Sequence, residues 1–284
     1  MAVIQSHHGI HCSDIEATKR VLRVLGFTEH QPGAPDPLIF RNVPEDYIGQ
    51  VTAPVLGDEY ATHYVENPRI PHQIDLIQIR PEALTPRLWA QPAQGDLLIA
   101  IPVTEPWSAY EAMQAADAEC VYSVPVEVPD ENGIRFVWRD GQHLLLTRNP
   151  TPFAVVHYQS NDWPRMRAFL EEILEVPVHP LPTQGSETER YRLDACIGGR
   201  LDIEVRPDTP RLDFRAWGKH YPAANHFRLL ERDVGGIAER IRSTGRGGFV
   251  IPPANGFVFI HGPVSETIEM FDRGMAHGSR PAFA

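Results

Sequence analysis

Histidines and acidic residues near both ends of the chain carry the side chains best suited to holding a metal ion. Near the N-terminus the segment "SHHGIHCSD" contains His7, His8 and His11. Near the C-terminus His226 lies in "NHFRLL" and Glu269 in "ETIEMF". Imidazole nitrogens and carboxylate oxygens are common ligands of divalent first-row metals. Two interpretations of the N-terminal histidines follow: metal ligands, or a polar strand at the edge of a sheet.

Strand alternation decides which N-terminal histidines can act together. Ile10 and Cys12 form the apolar face that is expected to pack under a helix. His7 and His11 therefore share the opposite face. His8 points toward the helix, unless the strand is one residue shorter than the pattern indicates. The alternation favours His7 as a metal ligand and places His11 beside it, in a substrate-binding position.

The same alternation applies to the C-terminal residues. Phe227 and Leu229 are expected to pack under a helix, which leaves His226 and Arg228 facing a pocket. Arg228 could clamp a substrate carboxylate or phosphate, or pair with a neighbouring acid. Glu269 alternates with apolar neighbours at the end of a strand, so it could be a ligand or a solvated strand carboxylate.

A strand followed by an amphipathic helix recurs four times and must position these residues. The four segments begin "HHGIHCSD", "LLIAIPVTEP", "FAVVHYQSND" and "NHFRLLERD". Each helix is followed by short alternating runs that predict three strands. The sequence therefore predicts an α+β fold of four βαβββ units, at about 1–80, 95–148, 150–207 and 222–273.

The strand–Asp–helix–"LGF" opening and the "GPVSETIEM" ending resemble the vicinal oxygen chelate superfamily. That superfamily includes glyoxalase I, methylmalonyl-CoA epimerase, fosfomycin-resistance proteins and extradiol dioxygenases. The resemblance spans essentially the whole chain and implies two half-barrel domains, expected at 1–148 and 149–284. It also implies a divalent metal, held by residues about seven positions before the helix-capping Asp and by a carboxylate near the end of a unit's last strand.

Two units keep the ligand spacing that the resemblance implies. His7 lies seven residues before Asp14, and His226 lies seven residues before Asp233. With Glu269 in the last strand, the expected metal ligands are His7, His226 and Glu269. The metal could be Fe, Mn, Ni, Co or Zn.

The other two units have lost ligands. Leu98 and Leu145 occupy both equivalent places in the second unit. The third unit has Val155 at the histidine position but keeps Glu204, and His157 lies two residues further along the same face. A site built from apolar residues cannot replace the water shell of a cation.

How the units pair decides which residues meet. If the first unit joins the fourth, one site collects His7, Gln78, His226 and Glu269; Gln78 enters because "IDLIQIRP" aligns with "LDIEVRP". If the units pair in chain order, Glu204 joins His226 and Glu269, with His157 nearby only if the register slips. The first pairing is preferred, because it gathers a full ligand set and leaves the other site without one.

The function that this reading favours is a glyoxalase- or epimerase-like isomerase or lyase that chelates a small oxygenated substrate. A weakly held Gln78 or Glu204 would act as base, as the resemblance implies, while His220 and Tyr221 could form a lid or acid–base group. One alternative is an Fe(II) extradiol-type dioxygenase. Against it, Phe257 and Phe259 stand where that pattern wants Tyr, and His261 is too close to Glu269 for the histidine of that pattern. The other is a metal-free binding or resistance protein.

Composition limits the classes of partner. The net charge of −11 over 284 residues argues against nucleic acid. Three widely spaced cysteines predict reduced thiols, and the absence of a signal-like or long apolar segment predicts a cytoplasmic protein without a membrane partner. A small-molecule substrate and a monomeric or homodimeric state are expected.

Overall fold

The protein has an α+β fold built from two mixed β-sheets and four α-helices within the part of the chain that is described. The computed structural model describes residues 6–29, 38–40, 59–69, 72–80, 91–182, 187–193, 200–211, 224–254, 257–264 and 267–272. At some of these positions the backbone alone is described, which defines the strand register and the face of the sheet.

The first sheet has nine strands and joins the two ends of the chain. Its strands are β1 (Ser6–His11), β2 (Thr28–Glu29), β3 (Leu38–Phe40), β4 (Glu59–Asn67), β5 (His72–Arg80), β14 (Ala224–Arg232), β15 (Gly248–Ala254), β16 (Phe257–His261) and β17 (Thr267–Asp272). They follow the order β15-β16-β17-β14-β1-β5-β4-β2, and β3 also pairs with β4. The predicted pairing of the first segment with the fourth is thereby confirmed.

The second sheet has eight strands from the middle of the chain. Its strands are β6 (Leu97–Pro102), β7 (Val126–Val128), β8 (Gly133–Trp138), β9 (Gln142–Thr147), β10 (Phe153–Gln159), β11 (Val178–Leu181), β12 (Glu189–Leu193) and β13 (Arg200–Arg206). Their order is β11-β12-β13-β10-β6-β9-β8-β7. Each sheet thus takes strands from both sides of the predicted domain boundary at 148/149, and that boundary stays a prediction.

Four helices alternate with the strands, each directly after the first strand of its segment. They are α1 (Ile15–Val24), α2 (Pro106–Ala116), α3 (Trp163–Ala168) and α4 (Val234–Thr244), and α3 continues as a π-helical turn over Phe169–Ile173. The longest has 11 residues, and none of the helices in the described ranges is long and apolar enough to cross a membrane.

The helix starts follow the capping residues that the sequence predicts. Asp14 accepts a hydrogen bond from the backbone N of Ala17 at 2.9 Å, and Asp233 accepts one from the backbone N of Gly236 at 2.9 Å. Each bond satisfies a donor that the first helical turn leaves open. These caps fix where β1 and β14 end and their helices begin.

One continuous apolar core joins the helices to a single face of each sheet. The helices also contact one another across the sheets. The backbone N of Ser13, just before α1, donates to Asp140 Oδ2 at 2.7 Å, and Arg240 Nε on α4 donates to the backbone oxygen of Ile173 at 2.8 Å. The opposite face of each sheet is not part of this core and is called here its helix-free face.

Candidate metal centre

The candidate site lies at the middle of the nine-strand sheet, where the first strands of the two terminal segments meet. Strands β1 and β14 are antiparallel, with His226 opposite Gly9. Each is flanked by the last strand of its own segment in parallel pairing: β5 beside β1, and β17 beside β14. Four strands from opposite ends of the chain therefore supply one small patch of surface.

Burial confirms the predicted division of β1 and β14 into two faces. His8, Ile10, Phe227 and Leu229 are buried, and the three apolar residues belong to the core under the helices. His8 is opposite Phe227, so it lies on the helix-covered face. Strand positions 7 and 226 alternate with these and belong to the helix-free face. The side chains of His7 and His226 themselves are outside what the structure describes.

Two carboxylates lie on the helix-free face beside these histidine positions. Asp75 on β5 is opposite Gly9, and Glu269 on β17 is opposite Arg228. Each side chain is only 5% exposed. Carboxylates are rarely buried this far, because a charged group loses its hydration unless positive charge or hydrogen bonds replace it. Two such groups on one face place two carboxylate donors beside the histidine positions, where a cation could use them.

The strand register corrects one predicted site residue, Gln78. On β5, Ile74 and Leu76 are opposite His8 and Ile10, so even-numbered positions of this strand lie on the helix-covered face. No register shift interrupts β5 in its pairing with β4. The position of Gln78 therefore belongs to the face away from His7, and Asp75 takes the place that the alignment gave to Gln78.

Geometry makes the four donor positions compatible with one ion. Gly9 is the common partner of Asp75 and His226, so about 10 Å separates their Cα atoms at ~4.8 Å per strand. Gly9 has no side chain, which leaves the space between them unfilled by the central residue. Two imidazoles and two carboxylates match the donor preferences of divalent first-row metals. The residues present therefore fit a divalent metal.

Among the side chains that the structure describes, no three His, Cys, Asp or Glu residues form a metal-binding group. The imidazoles of His7 and His226 are not among those described side chains. The candidate centre thus depends on strand register for its two histidines and on burial for its two carboxylates. The metal-ligand roles of His7, His226 and Glu269 stay predictions.

The equivalent place in the eight-strand sheet is filled with apolar side chains. Leu98 on β6 is opposite Val155 on β10, and both pack with Leu145 on β9 in a small buried cluster that also holds Ala100 and Phe153. These are the residues expected at the lost ligand positions. Their packing puts apolar side chains at three of the places where the resemblance implies ligands, and Glu204 is the acidic residue that remains nearby.

Glu204 and His157 lie in this second sheet, directly opposite each other on β13 and β10. Glu204 forms an ion pair with Arg206, with 2.8 Å between Glu204 Oε1 and Arg206 Nε. The same Oε1 atom lies 3.9 Å from His157 Nε2. Burial lowers the pKa of His157 to about 4, although Glu204 opposes the shift. The structure therefore separates the predicted base Glu204 and the predicted substrate residue His157 from His226 and Glu269.

The remaining predicted residues are placed only in part. His11 lies in β1 opposite Ile77 on the helix-free face, and Arg228 lies in β14 beside Glu269. Their side chains are not described, so their substrate-binding roles stay predictions. His220 and Tyr221 lie outside the described residues.

Asp75 is the candidate residue that reading the sequence missed, although a signal for it exists. It stands between Ile74 and Leu76, just as Glu269 stands between Ile268 and Met270, and Glu204 between its own apolar neighbours. The alignment instead matched the Arg-Pro pair that follows each strand. Strand β5 extends to Arg80, three residues beyond the position equivalent to the end of β13. Matching the two Arg-Pro pairs therefore aligned Gln78, and not Asp75, with Glu204.

Solved structures with the same architecture are similar to this chain over nearly its full length. Glyoxalase I from Zea mays has a TM-score of 0.59 at 12% identity, with 95% of this chain and 92% of that chain covered. A candidate dioxygenase from Bacillus subtilis strain 168 has a TM-score of 0.56 at 15% identity, covering 97% and 87%. No protein-family model and no curated protein sequence matches the chain. The protein has the vicinal oxygen chelate fold.

Proposed function

We propose that this protein is a divalent-metal-dependent enzyme that binds a small substrate through two neighbouring oxygen atoms. The observation that carries the proposal is the pair of buried carboxylates, Asp75 and Glu269, on the face that also holds strand positions 7 and 226. His7, His226 and Glu269 would hold the metal, and Asp75 would complete the site.

The chemistry that suits this set is isomerisation or lyase chemistry without net oxidation. A divalent metal in the site would supply Lewis acidity for an enolate or alkoxide oxygen of the substrate. Asp75 is one methylene shorter than Glu269, so its carboxylate reaches less far over Gly9. We assign Asp75 Oδ as the atom that accepts a proton from the substrate carbon, with Glu269 as the firmer ligand.

Residues around the centre would orient the substrate. Arg228 is adjacent to Glu269 in register and can pair with a carboxylate or phosphate group through its planar guanidinium. His11 lies two strand positions from Gly9 on the same face. Both assignments require the side chains to point over the helix-free face, as alternation predicts.

An Fe(II) ring-cleaving dioxygenase is the second candidate. Two histidines and one carboxylate are the usual ligand set of non-haem iron oxygenases, and His7, His226 and Glu269 could form it. Two features speak for isomerase or lyase chemistry instead. Asp75 adds a second carboxylate, and the strand partner of Glu269 on β16 is Phe259, which cannot exchange a proton.

The proposal is tested by comparing Asp75→Asn with Glu269→Gln in protein purified without chelators. Glu269→Gln should lose the metal, since a neutral amide is a poorer ligand. Asp75→Asn should keep metal but lose exchange of the substrate α-proton with deuterated solvent, followed by NMR with 2-oxo and 2-hydroxy acids. Gln78→Ala is the matched control on the same strand and should change neither. Wild-type protein that binds no divalent metal would overturn the proposal.

A further inference from the structure

The eight-strand sheet closes on itself through one acidic residue. Glu131 lies in the turn between β7 and β8, at one end of the strand order. Its carboxylate pairs with Arg190 of β12 at 3.1 Å and with Arg200 of β13 at 3.0 Å, near the other end. Strands separated by several neighbours can meet only if the sheet curls, so its helix-free face lines the inside of a cup.

Arg135 lies inside this cup and forms no ion pair with any described residue. Its position on β8 is opposite Leu145, within the apolar patch of the helix-free face. Among the described residues no hydrogen-bond acceptor or ion-pair partner reaches its guanidinium. Burial lowers the pKa of Arg135, with Glu204 partly opposing the shift. An arginine side chain nevertheless stays charged in proteins, so the cation remains.

Every described arginine that lines this face, apart from Arg135, has an ion-pair partner. Glu204 is the nearby carboxylate, and Arg206 already holds it in an ion pair at 2.8 Å. His157 is neutral at physiological pH, because burial lowers its pKa to about 4. Within the described part of the chain, Arg135 therefore has no ion-pair partner of its own, although the protein as a whole carries a net charge of −11. A half-buried unpaired charge of this kind is costly to keep.

We propose that the cup of the eight-strand sheet is a metal-free binding site for a small monocarboxylate, which pairs with the guanidinium of Arg135. A guanidinium presents two parallel N–H donors that match the two oxygens of a carboxylate. A single carboxylate supplies the ion-pair partner that Arg135 lacks among the described residues. Leu98, Leu145 and Val155 form an apolar cluster on the same face, so the probe chosen is a small monocarboxylate with a short apolar chain, acetate or propionate.

The experiment is an NMR titration of protein with ¹³C-labelled acetate at constant ionic strength, after removal of metal with a chelator. Wild-type protein should show saturable binding in the millimolar range. Arg135→Met keeps the length of the side chain but removes its charge and should weaken acetate binding by about tenfold or more. Arg135→Lys keeps the charge but lacks the two parallel N–H donors, so its acetate affinity should lie between those of wild type and Arg135→Met.

Two controls separate this site from the metal centre and from general charge effects. Arg165→Met removes an exposed arginine and should leave acetate binding unchanged. Glu269→Gln should also leave it unchanged, so the result does not depend on the proposed function. Acetamide, the neutral analogue, should not bind. The proposal is overturned if wild-type protein shows no saturable acetate binding, or if Arg135→Met binds acetate as tightly as wild type.

Discussion

The two sheets share one arrangement of central strands but differ in what that arrangement holds. In each, two first strands run antiparallel at the centre, and each is flanked by the last strand of its own segment in parallel. The equivalent pairs across those strands are Gly9–Asp75, Arg228–Glu269, Ala100–Leu145 and His157–Glu204. The nine-strand sheet thus has a carboxylate at both last-strand positions, and the eight-strand sheet has one.

In the eight-strand sheet, the places equivalent to the proposed metal ligands are filled by other side chains and are not left open. In the eight-strand sheet, Leu98, Leu145 and Val155 pack together where ligands would stand. Glu204 survives at a ligand position, but Arg206 supplies the positive charge that a metal would otherwise provide. In the nine-strand sheet, the buried Asp75 and Glu269 stand at the same positions. The two sheets therefore differ in how many acidic side chains stand at these equivalent positions.

The largest expected difference between the two sheets is the effect of histidine substitutions on metal affinity. His226→Ala and His7→Ala should each weaken divalent-metal binding by more than about 100-fold, because losing a ligand costs more than the 10–100-fold of an outer-shell change. His157→Ala, in the eight-strand sheet, should leave the affinity unchanged. Titration of apo-protein with Ni(II) measures all three. An unchanged nickel affinity in His7→Ala would mean that His7 is not a ligand and that the N-terminal histidines belong to a polar strand.

Acid should destabilise the protein through His157. Burial depresses its folded-state pKa to about 4, below the unfolded value of about 6.5, so the unfolded state binds the proton more readily. The stabilising contribution is therefore complete above pH 6.5 and is lost as pH falls toward 4, by about 3 kcal/mol. Chemical denaturation of His157→Gln should show a shallower pH dependence over this range.

The matched control is His179→Gln, which removes an exposed histidine from the same sheet. It should leave the pH dependence of the free energy of unfolding as in wild type. If His157→Gln keeps the wild-type pH dependence of the free energy of unfolding, groups other than His157 cause that dependence.

Removing Glu131 should open the eight-strand cup. Glu131→Gln leaves Arg190 and Arg200 without their shared carboxylate and should lower the free energy of unfolding by about 2 kcal/mol. Glu171→Gln breaks an exposed ion pair with Arg167 and should cost less than about 0.5 kcal/mol. Urea denaturation compares the two. Equal losses would mean that the closing ion pairs add no stability.

The smallest effect concerns the helix caps, which also differ between the sheets. Asp233 caps α4 with its side chain, whereas Glu105 at the start of α2 makes no cap hydrogen bond. Asp233→Ala should lower the free energy of unfolding by about 1 kcal/mol, and Glu105→Ala by less. Thermal unfolding of the two variants measures the difference, and a larger loss in Glu105→Ala would contradict it.

The fold and part of the site follow from local patterns in the sequence. Alternation in β1 and β14 predicts the face of His8, and the helix-capping Asp14 and Asp233 mark where those strands end. The apolar character of the place around Leu98 and Leu145 also follows from the sequence, because the residue types alone give it.

Register between distant strands is what the sequence does not contain. Asp75 was missed because the partner of each β5 residue depends on how far that strand extends along β1. The ion pairs of Glu131 with Arg190 and Arg200 depend on the curl of a whole sheet, which no local pattern encodes. The charge left on Arg135 follows only once those pairs are known.

The most direct test of the account is the position of bound metal in crystals grown with Ni(II). Anomalous scattering at the nickel edge should give one strong peak per chain, over Gly9 and between Asp75, Glu269 and the histidines at 7 and 226. No peak should appear beside Glu204 in the eight-strand sheet. A peak at Glu204, or none at Gly9 in nickel-saturated crystals, would contradict the assignment of the metal centre to the nine-strand sheet.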